Sequence, residues 1–144
     1  MIAIPALLFA PLALNVGKIY PIDLGGPSNQ LVHAARMGNI VHVRQCFLEH
    51  DLDDLDLNSA LDAAAAYAHV DIVEFLVRFG ATDLESALLS AAARDHVKVV
   101  AYLISKERRR PATNTREAQT LASNLGAFNC DWLLTAHRWK EWRS

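Results

Sequence analysis

The most constraining feature of this sequence is a short helical hairpin that recurs along the chain. Residues 59–81 contain two apolar stripes at helical spacing, separated by a break, and residues 86–105 repeat them at a shift of 27 residues. Residues 29–49 match at a shift of 30, and residues 117–135 form a weaker fourth copy. Because a lone hairpin of this length cannot bury both of its apolar faces, we expect the copies to stack on one another.

The copies agree position by position. The paired alanines at 64–65 recur at 91–92 and at 34–35, and His69 recurs as His96. Leu76 and Leu103 occupy equivalent places in the apolar run that follows, so we expect both to be buried. Gly80 comes after the second stripe, where a residue with positive φ most easily ends a helix.

Three segments resemble the ankyrin repeat: HAARMGNIVHV, AAAYAHVDIVEFLVRFGA and AAARDHVKVVAYLI. The family pattern there is two alanines, a gap of two residues, Gly-His and then an apolar run. The resemblance covers residues 29–135 and implies an all-α, ankyrin-type helical solenoid of about four helix-turn-helix repeats. It also implies that His69 and His96 tie down the turn between the two helices of a repeat.

Two features depart from the family pattern. The opening Thr-Pro-Leu-His is absent, and the repeats of 27 to 30 residues are shorter than the family's length of about 33. The missing residues fall between repeats, where the family carries β-hairpin fingers. We therefore expect stunted fingers, which places the binding surface on the ends of the inner helices.

The repeats divide the chain into three parts. Residues 1–28 form an apolar arm and linker, and Ser28 or Asn29 is the expected N-cap of the first helix. The repeats themselves are assigned to residues 29–58, 59–85, 86–116 and 117–135, and a Trp-rich capping tail to residues 136–144.

The arm leaves several interpretations open. Its apolar run of fourteen residues is too short for a membrane span and is interrupted by Pro5 and Pro11. Its first basic residue, Lys18, follows the run, whereas a secretory signal carries positive charge before it. The arm could cap the first repeat, insert into a partner or be cleaved. Cys46 and Cys130 both fall in core positions, which indicates an intracellular, reducing compartment such as the cytoplasm.

Residues that could support chemistry are few. His42, Cys46 and His50 lie four residues apart on one helix, a spacing suited to zinc, but His42 and Cys46 fill positions that are apolar in the other repeats. The acidic loop from Asp51 to Asp56 lacks the glycine and glutamate of a calcium loop. We therefore expect no metal, no cofactor and no enzyme activity. A net charge of −2 gives no reason to expect nucleic-acid binding.

The C-terminal tail contains Trp132, Trp139 and Trp142 on one face of a continuing helix. In one interpretation the indoles cover the last repeat. In the other they form an exposed aromatic anchor flanked by basic residues, as at many interface hot spots.

The sequence therefore predicts a non-catalytic module that binds a partner protein through the concave surface of its inner helices. The alternative is an accessory subunit held permanently in a large assembly by the apolar arm and the Trp-rich tail. The residues expected to contact the partner are Arg36, Met37, Tyr67, Arg94, Arg108, Arg109, Arg110, Trp139 and Trp142.

Overall fold

The structure, a computed structural model, describes residues 25–107 and 113–143. Within these ranges the chain forms eight α-helices and one short 3₁₀ turn, Leu52–Asp54, and contains no strand. The helices are α1 (Pro27–Arg36), α2 (Ile40–Glu49), α3 (Leu57–Ala66), α4 (Val70–Arg78), α5 (Leu84–Ala93), α6 (Val97–Glu107), α7 (Thr113–Leu125) and α8 (Phe128–Arg143).

The helices pair into four hairpins that stack in chain order. The odd-numbered helices are the inner ones, and each packs far more extensively on the next inner helix than the outer helices pack on one another. Paired alanines at 34–35, 64–65 and 91–92 are buried and allow this close approach. Closer inner than outer packing curves the array with its inner helices on the concave side. The fold is thus the expected all-α solenoid of ankyrin type, with loops in place of fingers.

The inner helices begin earlier than the predicted repeat boundaries. Asp56 and Asp83 are the N-caps of α3 and α5, and their carboxylates accept hydrogen bonds from the backbone N–H groups of Ser59 and Ser86. The boundaries drawn at 59 and 86 therefore fall inside helices. From the sequence alone, Asp56 is assigned to an acidic loop, so its role as the helix cap is not predicted.

The first inner helix also differs from expectation. Its N-cap is Gly26 and Pro27 is its first residue, so the prediction of Ser28 or Asn29 as the cap was wrong. Proline suits this place because its fixed φ is helical and the N–H it lacks would have no partner within the helix. The Ser28 hydroxyl instead accepts a hydrogen bond from the N–H of Asp56 in the next loop.

The turn from inner to outer helix has the same geometry in all four hairpins. One residue takes a left-handed conformation, and the N–H that follows it bonds to a carbonyl five residues earlier, at 2.8–3.0 Å. This 6→1 bond closes the inner helix in the manner of a Schellman motif. The left-handed residues are Gly38, Ala68, Asp95 and Gly126.

The core confirms the register of the repeats. Leu76 and Leu103 are completely buried, and His42 and Cys46 are buried in the equivalent face of α2. Burial lowers the pKa of His42 and raises that of Cys46 to about 11, while burial raises the pKa of Cys130 to about 12. Both cysteines are free thiols. In the part of the chain that the structure describes, no three His, Cys, Asp or Glu side chains converge on a common point.

The fourth repeat is polar where the others are apolar. Four positions that are buried and apolar in α5 and α6 carry polar residues in α7 and α8. The replacements are Leu88 by Gln119, Ala92 by Ser123, Val100 by Asp131 and Ile104 by Thr135. The Gln119 amide donates to the Thr135 hydroxyl at 2.7 Å and accepts from Arg138 at 2.9 Å. This end of the described array is therefore closed by polar side chains on its own helices.

Trp132 and Trp139 do not close this end of the described array. Phe128, Trp132 and Trp139 share one face of α8 and are 79%, 72% and 63% exposed, so the interpretation of indoles covering the last repeat was wrong for these residues. The boundary placed at residue 135 lies inside α8, which runs without a break to Arg143. The side chain of Trp142 lies outside the described residues.

Two further predictions concern the N-terminal arm and the basic cluster. The alternatives for the arm concern residues 1–24, and the basic cluster Arg108, Arg109 and Arg110 follows α6; both segments lie outside the described residues. Among the helices that are described, none is long and apolar enough to cross a membrane.

Candidate partner-binding site

The candidate site lies where the inner helices end. Arg36 is the last residue of the first inner helix and Met37 its C-cap, and Tyr67 and Arg94 are the C-caps in the second and third repeats. All four side chains are exposed. Met37 is 66% exposed and Tyr67 40% exposed. Because the inner helices stack closely, residues that are 27 to 31 positions apart in sequence become neighbours along one edge of the array.

Arg36, Tyr67 and Arg94 form one connected group, here called the Arg–Tyr–Arg ladder. Arg36 Nε donates to the Tyr67 hydroxyl at 3.1 Å, and its guanidinium carbon lies 5.3 Å from the ring centroid. The guanidinium carbon of Arg94 lies 5.1 Å from the same centroid. Arg94 Nη1 also donates to the carbonyl of Ala66 at 3.2 Å. Both distances to the ring are within the range of cation–π attraction.

Two histidines hydrogen-bond to backbone carbonyl groups next to the side chains of the ladder. His69 Nε2 lies 3.1 Å from the Arg36 carbonyl oxygen, and His96 Nε2 lies 3.0 Å from the Ala66 carbonyl oxygen. Because a carbonyl oxygen only accepts, each Nε2–H donates the hydrogen bond. Each imidazole thus ties its repeat to the end of the preceding inner helix. This differs from the expectation that the histidine holds the turn of its own repeat.

Gly38 makes room for one of these contacts. Its φ is +73°, and a Cβ built there would lie 2.5 Å from His69 Cε1, far inside van der Waals contact. The left-handed conformation favours glycine at this turn, and the imidazole packed on it leaves no room for a Cβ.

The electrostatics of the ladder are positive. The hydrogen bond from Arg36, reinforced by its charge, lowers the pKa of Tyr67. Within the described residues neither arginine of the ladder contacts a carboxylate, and the ion pair present there joins Arg78 to Glu74 at 3.4 Å on the exposed face of α4. The site therefore presents two cations around a partly exposed aromatic ring.

The structure separates Trp139 from this group. It lies on outer helix α8, whereas the ladder lies at the ends of the inner helices of the first three repeats. No contact joins it to the ladder among the described residues. The predicted partner-binding residues thus fall on at least two surfaces, of which the ladder is the connected one.

Sequence reasoning missed the role of Asp95. This residue holds the left-handed turn of the third repeat, and its carboxylate accepts from the Cys130 N–H at 2.8 Å and from the Asn129 amide at 2.7 Å. Cys130 is the third residue of α8, whose own N-cap position, Ala127, has no side-chain acceptor. Asp95 therefore caps the outer helix of the next repeat. An aspartate where two other repeats have glycine was the available signal.

The described fold defines the chain as a solenoid of stacked helical hairpins, a class that presents an extended surface for binding. Residues 56–87, which span α3, α4 and the loop into α5, match the ankyrin repeat family. Together with the all-helical fold, this match is consistent with an ankyrin repeat protein and fits an all-α solenoid of ankyrin type. No curated protein matches the chain as a relative.

Proposed function

We propose that this protein is a non-catalytic interaction module that binds a partner protein through the ends of its inner helices, with the Arg–Tyr–Arg ladder at the centre. Ankyrin repeats are in general protein–protein interaction modules and are typically not catalytic. The observation that carries the proposal is the ladder itself, an exposed tyrosine in contact with two arginines at the ends of the inner helices.

The composition of the ladder supports a role in binding. Tyrosine and arginine are enriched among the residues that dominate interface energetics, since they bury a large area and form directional hydrogen bonds. Their mutual contacts reduce the side-chain freedom that binding would otherwise remove. The neighbouring Met37 adds an exposed apolar side chain that can adapt to a partner surface.

The test is a quantitative pull-down from an extract of the native source, followed by mass spectrometry. Wild-type protein is compared with Tyr67→Ala and with Leu48→Ala, a control at a residue that is 88% exposed on outer helix α2. We expect a partner that the wild type and the control capture equally and that Tyr67→Ala loses. Equal capture by all three proteins, with equal thermal stability, would contradict the proposal.

A second candidate is supported by the exposed aromatic face of α8. Phe128, Trp132 and Trp139 form an apolar stripe on one side of the helix, flanked by Lys140 and Arg143, as expected of a subunit anchored permanently in an assembly. Light scattering on the isolated protein separates the two candidates. A stable, monodisperse monomer counts against the permanent subunit, whereas recovery only in a stoichiometric complex counts against the free module.

A further inference from the structure

The arginines of the ladder are held in place but keep much of their hydrogen-bonding capacity. A guanidinium has five N–H donors in a planar fork. Within the described residues Arg36 uses Nε on the Tyr67 hydroxyl, and Arg94 uses Nη1 on the Ala66 carbonyl. Arg36 therefore keeps the donors of its two terminal nitrogens, a pair with the parallel geometry that binds a carboxylate through both oxygens. Arg94 also interacts with the Tyr67 hydroxyl and keeps its other N–H donors for a second carboxylate.

The charge of the ladder is not balanced locally. Asp95 follows Arg94 in sequence, but its carboxylate accepts hydrogen bonds from Asn129 and Cys130 on α8. Neither ladder arginine forms an ion pair with any residue that the structure describes. Two uncompensated cations on an exposed edge favour a partner of opposite charge, since complementary potentials guide association and select partners.

The spacing of the ladder limits the shape of that partner. Because the two guanidinium carbons lie 5.3 and 5.1 Å from one ring centroid, they are at most 10.4 Å apart. An extended chain advances about 3.3–3.6 Å per residue, so acidic side chains two or three residues apart can reach both arginines. The Tyr67 ring contacts both arginines and is itself partly exposed.

We infer that the ladder binds an acidic segment of the partner protein, in which two Asp or Glu residues are separated by one or two others and pair with Arg36 and Arg94. This inference rests on the proposed function and names the chemistry of its partner. A nucleic-acid backbone fits less well, because such binding uses a broad field of basic residues and the chain has a net charge of −2.

The probe is a display library of random twelve-residue peptides selected on the immobilised full-length protein. We expect enriched peptides to contain two acidic residues at the stated spacing. One such peptide, synthesised with a fluorescent label, is then measured by anisotropy against the wild type and variants. We expect Arg36→Gln and Arg94→Gln each to weaken binding about tenfold, and added salt to weaken it further. Replacing the two acidic residues of the peptide by Asn or Gln should have a comparable effect.

The matched control is Arg44→Gln. Arg44 also lies over an aromatic ring, with its guanidinium carbon 5.9 Å from the Phe75 centroid, but on the outer helices. The Arg44→Gln variant should bind the peptide as tightly as the wild type does. Circular dichroism melting curves establish that each variant is folded, and the peptide-side substitution tests the same pairing without any change in the protein.

The remaining outcomes overturn the inference in distinguishable ways. Neutral or basic peptides whose binding depends on Tyr67 would disprove the acidic partner while leaving the proposed function intact. A selection without any ladder-dependent peptide would disprove both. A single-stranded oligonucleotide that binds the ladder more tightly than the selected peptides do would replace the acidic segment by a nucleic acid.

Discussion

The third repeat, α5 and α6, and the fourth repeat, α7 and α8, share a turn geometry but differ in what their helices bury. Leu88 and Val100 are completely buried in the third repeat, between neighbours on both sides. Their counterparts Gln119 and Asp131 are polar and only partly buried. The two hairpins therefore have the same local fold and different chemistry on the face directed away from the preceding repeats.

The difference shows that the polarity of these side chains depends on the position of the repeat in the array rather than on the requirements of helix formation. Each of the first three repeats presents an apolar face on which the next one packs. The fourth repeat replaces that face by polar groups, of which Gln119 hydrogen-bonds to Thr135 and Arg138. A solenoid needs such a polar terminal face to remain soluble, because an apolar one would recruit further copies.

The largest expected effect comes from exchanging the apolar and the polar residue at equivalent positions of the third and fourth repeats. Leu88→Gln should lower the free energy of unfolding by about 4 kcal/mol, because it removes buried apolar contacts and buries an amide. Gln119→Leu, the reverse change at the terminal position, should alter it by less than about 1 kcal/mol. Urea denaturation measures both values. Similar costs for the two variants would contradict the proposed difference in environment between the two positions.

The next effect tests the shared core. Leu76→Ala and Leu103→Ala remove equivalent, completely buried side chains. Each should cost about 3 kcal/mol, within a usual range of about 2–5 kcal/mol. Leu48→Ala, at a residue that is 88% exposed, is the control and should cost less than about 0.5 kcal/mol. A loss below half a kcal/mol for both core variants, measured by chemical denaturation, would show the register to be wrong.

A smaller effect on stability should distinguish the turns at Gly38 and Ala68, which have the same backbone geometry. Gly38→Ala should destabilise the protein by about 2 kcal/mol, since it combines the left-handed penalty with a clash against His69. Ala68→Gly relieves the same penalty at φ +65° and should stabilise it by about 0.5 kcal/mol after the entropy of glycine is included. Thermal melting of both variants tests this, and destabilisation by Ala68→Gly would contradict it.

The last effect concerns the hydrogen bonds between the third and fourth repeats. Asp95→Ala removes the cap of α8 and should cost about 1 kcal/mol. The hydrogen bond from the Cys130 N–H lowers the pKa of Asp95 below its ordinary value of 3.8. Its contribution is therefore fully present above that value and is lost as the pH falls through the lower folded pKa.

Asp95→Asn is the control for this pH dependence. It keeps an amide oxygen for the Cys130 N–H and tolerates the left-handed turn, but it cannot titrate. Stability curves between pH 2 and 6 should show a smaller acid-induced loss for Asp95→Asn than for the wild type. Identical pH profiles would mean that the carboxylate charge does not contribute to capping.

Much of the fold could be predicted because its signals are local. The apolar stripes around Leu76 and Leu103 repeat at the helical period, and paired alanines and a turn precede each of them. The predicted site residues Arg36, Tyr67 and Arg94 were found from the same alignment. Their exposure followed from their positions, whereas the hydrogen bond and the ring contacts that join them did not.

The helical hairpins of the described residues and their register follow from the sequence alone, because helix periodicity and turn chemistry act within about thirty residues. Which distant groups meet depends on tertiary packing. It placed two arginines against one tyrosine, directed Asp95 to the start of α8 and left Trp132 and Trp139 exposed. These outcomes depend on how one repeat sits on the next, and stacking is set by the packing of many side chains together rather than by any local pattern.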